Sequence, residues 1–128
     1  MMNEIAEFMM STSPKVDSKK LPKELYHGTS KEKYISIMEN GLKAHELFGQ
    51  TYFAETVEDV AKFVTPPCIV FKVETQKLDL NFLRISLDHN KAFYGDIDCY
   101  AYYKDIKPKY LKAFELYYEE ETVNDKTS

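Results

Sequence analysis

The chain has no tryptophan, two cysteines and only four glycines among its 128 residues. Arginine is scarcer still: Arg84 is the only one, and lysine supplies the rest of the positive charge. A mechanism that needs several guanidinium forks on phosphates is therefore poorly served. A formal charge of -4 leaves no basic footprint for nucleic acid, although a local lysine patch can hide inside an acidic total. Cys68 and Cys99 each sit in an apolar run, and no Cys/His spacing resembles a zinc site, so buried reduced thiols and no metal are expected. No apolar run approaches the ~18 residues that span a bilayer. The first residues lack a basic stretch followed by a long apolar one, which argues against a secretion signal. A soluble chain in a reducing, cytoplasmic setting is expected.

What is present is one domain's worth of apolar and aromatic residues, including ten tyrosines and eight phenylalanines. Residues 1–22 read as a poorly ordered lead-in with a short helix around Ile5 to Met10, and residues 119–128 read as a polar tail. The domain occupies residues 23–118. Glu24 to His27 is a short strand, and Ser30 is placed to cap a helix whose Tyr34, Ile35 and Met38 line one face. Asn40-Gly41 stops that helix. Thr51 to Ala54 is a second strand, and Thr56 with Asp59 starts a second helix that Pro66-Pro67 ends. Cys68 to Val73 is apolar nearly throughout, as an inner strand would be. Phe82 to Ser86, the alternating Asp98 to Tyr103 and Lys112 to Tyr118 complete the strands. This order implies an α+β fold.

The candidate chemistry clusters around Leu25-Tyr26-His27-Gly28-Thr29 and Gly49-Gln50-Thr51-Tyr52-Phe53-Ala54. His27 supplies an imidazole, Gly28 a main chain with no Cβ in the way, and Thr29 a hydroxyl, a compact grip for a ribose and a carboxamide. Tyr52 on a strand and Phe63 on the next helix, eleven residues on, are spaced to face each other across a slot for a flat ring. His45 and His89 fall in expected loops without an obvious partner.

These segments resemble the His–Tyr–Glu class of ADP-ribosyltransferases, which includes poly(ADP-ribose) polymerases and diphtheria-type toxins. The resemblance covers roughly residues 24–116. It implies a fold of two small packed β-sheets with two short helices. It also implies NAD as the substrate, with His27 and Thr29 on the adenosine ribose, the Gly28 main chain on the nicotinamide carboxamide, and Tyr52 and Phe63 on either side of the nicotinamide. The family's third position is a glutamate on a late strand. Here Asp98 and Asp96 precede Asp105-Ile106-Lys107-Pro108, which resembles the family's closing turn. Asp98 is the expected catalytic acid and Asp96 the acceptor-orienting residue, with aspartate one methylene shorter than the family's glutamate. Glu115 and Glu119 are the next candidates.

The function so implied is mono-ADP-ribosyl transfer to a macromolecular acceptor, protein favoured over nucleic acid, by a monomer without membrane contact. Small size suits a toxin, effector or phage protein acting in a host cytoplasm. Beside an unrelated α+β module in which these motifs are accidental, two alternatives remain. One is an inactive nucleotide- or protein-binding module of the same fold. The other is an NAD-dependent RNA 2′-phosphotransferase, which Ile37 to Leu42 and Pro108 to Leu111 also resemble but which needs more arginines and a second lobe.

Overall fold

The structure, a computed structural model, describes residues 4–44, 51–86 and 99–117. In chain order the elements are α1 (Glu4–Thr12), β1 (Glu24–Thr29), α2 (Tyr34–Asn40), β2 (Thr51–Ala54), α3 (Val57–Phe63), β3 (Cys68–Glu74), β4 (Leu83–Ile85), β5 (Cys99–Tyr102) and β6 (Lys112–Leu116). All strand pairs are antiparallel, in the order β4-β5-β2-β1-β3-β6. The expected α+β class therefore holds. Among the described residues the two packed sheets of the expectation are instead one six-stranded sheet, and the helices are the expected two of the domain with the short one of the lead-in.

The sheet is not uniform along its width. Six register pairs join β1 to β3, from Glu24↔Glu74 to Thr29↔Ile69, and four join β2 to β5. Between β1 and β2 a single pair forms, Tyr26↔Ala54. Two three-stranded ladders thus meet at a seam that is closed at one point.

Strand alternation sends side chains to two faces. On one face Leu25, Phe53, Phe71, Val73, Leu83, Tyr100 and Tyr102 pack with Ile37, Leu42, Leu78, Ile106 and Leu111 into the main core. On the other, Ala54, Cys68 and Val70 pack under Val60 of α3, with Tyr26, Phe63, Val64 and Leu116 against them. Cys68 and Cys99 are buried and not joined in a disulfide, as expected. β3 is an inner strand whose first four residues are buried, in line with its apolar sequence.

Local chemistry explains the helix ends. Thr56 Oγ1 accepts from the Asp59 N–H at 3.1 Å, as its position suggested. Gly41 closes α2 with its N–H on the Ile37 carbonyl and φ of +87°. A Cβ there would lie 2.1 Å from the Ile106 carbonyl oxygen, because Leu42 and Ile106 exchange backbone bonds beside it.

Three expectations are revised. Ser30 makes no side-chain cap, and a 3₁₀ turn over Lys31–Lys33 precedes α2. The buried face of α2 is Ile37 with Met38, while Ile35 points outward and Tyr34, partly exposed, stacks its ring on Phe71 at 6.4 Å, so the expected shared face of Tyr34, Ile35 and Met38 does not form. β5 is buried on both faces rather than half-buried: the main core covers Tyr100 and Tyr102, and α1 covers Ala101. The expected lead-in thus carries a helix whose Ala6 is fully buried against β5.

Candidate functional site

The open seam beside Tyr26↔Ala54 is where the candidate residues meet. If the β1–β2 register continued, His27 and Gly28 would face Phe53 and Tyr52, but no further pair forms. A side chain takes its place. His27 Nδ1 lies 2.8 Å from the Tyr52 carbonyl oxygen. A carbonyl only accepts, so Nδ1 carries the proton and, in the neutral ring, Nε2 is left as an acceptor. The imidazole also lies 5.7 Å from the Phe53 ring, tilted at 56°. Burial pushes the His27 pKa below the free value, opposed by the Tyr52 hydrogen bond and aided by Lys33. The ring is therefore neutral at pH 7.

Around this seam is a cleft of about 190 Å³. Its lining includes His27, Gly28, Tyr52 and Phe63, together with Phe53, Val60 and Cys99. Both sheet faces contribute, which an intact ladder would forbid. The cleft falls below the ~300 Å³ at which sites for drug-sized ligands begin, so it suits one flat ring with the rest of a ligand outside. Its mostly apolar wall and the rings of Tyr52 and Phe63 favour an aromatic occupant.

Gly28 has a further reason to be glycine. A Cβ there would meet Val60 Cγ1 at 2.4 Å and Val64 Cγ2 at 3.3 Å. The missing side chain lets α3 lie directly on β1, which brings Phe63 to the seam. Thr29 ends β1 opposite Ile69 and is not among the residues lining the cleft. Asp96 and Asp98 lie outside the described residues, as do His45, His89 and Glu119. Glu115 is away from the cleft lining: it pairs with Lys31 at 3.0 Å, accepts from the Tyr117 hydroxyl, and borders a separate groove with Lys31 and Tyr34.

Two further residues, one lining the cleft and one adjoining its lining in sequence, were not read from the sequence. Cys99 reaches the cleft because β5 pairs with β2, Cys99 opposite Ala54. Glu55 directly follows the cleft-lining Ala54, and its Oε2 accepts from the Tyr100 hydroxyl at 2.5 Å. Only the position of Glu55 after Tyr52-Phe53-Ala54 hinted at the second; the first needed the topology. Among the described residues no group of three or more His, Cys, Asp or Glu side chains is placed to hold a metal ion. No helix among them is long and apolar enough to cross a membrane. A scan of protein-family models matches none to this chain, and a search of curated proteins finds no match.

Proposed function

We propose that the chain is a mono-ADP-ribosyltransferase that binds NAD at the β1–β2 seam and transfers ADP-ribose to a macromolecular acceptor, a protein in preference to a nucleic acid. The observation that carries this reading is that His27, Gly28, Tyr52 and Phe63, distant in sequence, line one cleft. The seam supports it too, since two ladders joined at a single pair approach the split-sheet architecture of that enzyme class.

In this reading the nicotinamide ring enters the slot beside Tyr52 and Phe63. The neutral His27 offers Nε2 to a ribose hydroxyl while its Nδ1–H stays on the Tyr52 carbonyl. The C1′–nitrogen bond breaks with its electron pair leaving on nicotinamide. The acceptor nucleophile bonds to C1′, and its proton passes to solvent. Positive charge grows on the ribosyl carbon as the bond stretches, and a carboxylate on the 2′-hydroxyl stabilises that state more than it stabilises bound NAD. Asp98, joined in sequence to the cleft-lining Cys99, is assigned that task, and Asp96 the orientation of the acceptor.

The test is incubation with NAD labelled in its adenosine half, in a cell lysate, with protease or nuclease treatment of the product. Label that becomes macromolecular and protease-sensitive, with matching release of free nicotinamide, is the expected result. Absence of both nicotinamide release and incorporation would contradict the reading.

A further inference from the structure

Tyr52 has a second set of neighbours, on the side of its strand away from His27. Ala6 of α1 forms a cluster with Ala101 and Tyr103, and Met9, Met10 and Tyr52 pack against it. The sheet neighbour of Tyr52 on β5 is Ala101, a side chain too small to brace a phenol ring by itself. The helix supplies the missing bulk.

The docking of α1 rests on few contacts. Ala6 is its only fully buried residue, while Ile5 and Phe8 face outward, Phe8 at 68% exposure. Its last turn is held by Arg84, the one arginine, whose buried guanidinium donates from Nε to the Met10 carbonyl at 3.0 Å. A cation at a helix C-terminus is favourably placed. Just beyond, the Ile85 N–H donates to the Pro14 carbonyl, and Lys15 bridges to Arg84, covering the β4 edge of the sheet. A nine-residue helix is marginal alone, so its order depends on this docking.

We propose that α1 is the back wall of the ligand slot, with Ala6 as its anchor and Arg84 as its tether: it fixes the Tyr52 ring in the position that stacks on the nicotinamide of NAD. The inference rests on the NAD reading for its ligand, but the control of Tyr52 by α1 is a separate claim. Ala6 and Arg84 are positioning residues, since they act on the ligand through Tyr52.

The test joins two measurements on the full chain carrying ¹³C-labelled tyrosine, with the Tyr52 signal assigned by its loss in Tyr52→Phe. Ala6→Glu lifts α1 from β5, Phe8→Ser changes only its outer surface, and Ala6→Gly replaces Ala6→Glu should the latter fail to fold. The Tyr52 ring signals are expected to shift in the Ala6 variants and to stay in place in Phe8→Ser. NAD affinity by calorimetry is expected to fall about tenfold for Ala6→Glu, or about threefold for Ala6→Gly, in the parent. In a Tyr52→Ala background the same changes should alter it by less than about twofold. Unchanged Tyr52 signals in the Ala6 variants, or equal losses of affinity in both backgrounds, would overturn the proposal. A parent that does not bind NAD at all would refute the function reading, and the ring signals would still decide the role of α1.

Discussion

Tyr52 works through both of its halves. Its carbonyl holds His27 in one tautomer, and the residue lines the cleft. Tyr52→Ala removes the ring and keeps the carbonyl, so NAD binding should weaken by ~1–3 kcal/mol, while Tyr52→Phe should be mild because the ring and not the hydroxyl stacks. Calorimetric titration checks both; equal affinity in Tyr52→Ala would remove the slot from the account. For His27 the sign follows from burial, which lowers its pKa in the folded chain. The unfolded chain then binds more protons between the lowered value and the free value of about 6.5. Stability should be level above that value, fall as the pH drops through the window, and level off once the folded ring is protonated. The diagnostic is the difference between the parent and His27→Gln in denaturant melts, with the fall shallower in the variant. A parent and variant that fall in parallel would show that His27 is not held neutral. At Asp98, replacement by Asn keeps shape but removes charge, and turnover should drop by ~10²–10³ with NAD affinity nearly unchanged. Full activity in that variant would move the catalytic acid to Asp96.

At the scale of elements, α3 carries Phe63 to the seam by lying tightly on β1. Gly28→Ala places a methyl within 2.4 Å of Val60 Cγ1, so the helix must shift, at a cost of about 1–3 kcal/mol in chemical denaturation. Val60→Ala in the same chain should recover part of that loss, whereas no recovery would locate the strain elsewhere. These elements were legible in the sequence to very different degrees. β2, β3, the Thr56 start of α3 and the Gly41 stop of α2 could be read directly, because alternation, apolar runs and capping chemistry are local. The buried face of α2 could not: Tyr34, Ile35, Ile37 and Met38 offer two apolar stripes, and only the sheet decides that Ile37 turns inward. The docking of α1 was equally hidden, since alanine, the residue that is fully buried there, carries little hydrophobic signal in the sequence. Within the site, His27, Tyr52 and Phe63 were legible as a motif, but the packing reason for Gly28 and the arrival of Cys99 depend on which strands pair.

The whole molecule sets the site through its seam. Two well-zipped ladders, β1-β3-β6 and β2-β5-β4, meet at one register pair, and the apolar cleft lies where the zipper stops. An open seam leaves main-chain groups near an aromatic slot, which is the surroundings a carboxamide-bearing ring requires. Ligand binding across the seam should also tie the ladders together, so saturating NAD should raise the unfolding midpoint by mass action. Thermal melts with and without NAD check this, and an unchanged midpoint at saturation would contradict binding to the folded chain. The central claim is that this seam is the NAD site, and its most direct test is an NMR titration of the labelled chain with NAD. The account predicts saturable shifts concentrated at His27, Gly28, Tyr52 and Phe63, and their loss or marked weakening in Tyr52→Ala. Shifts centred instead on the Lys31–Glu115 groove, or no shifts at millimolar NAD, would contradict it.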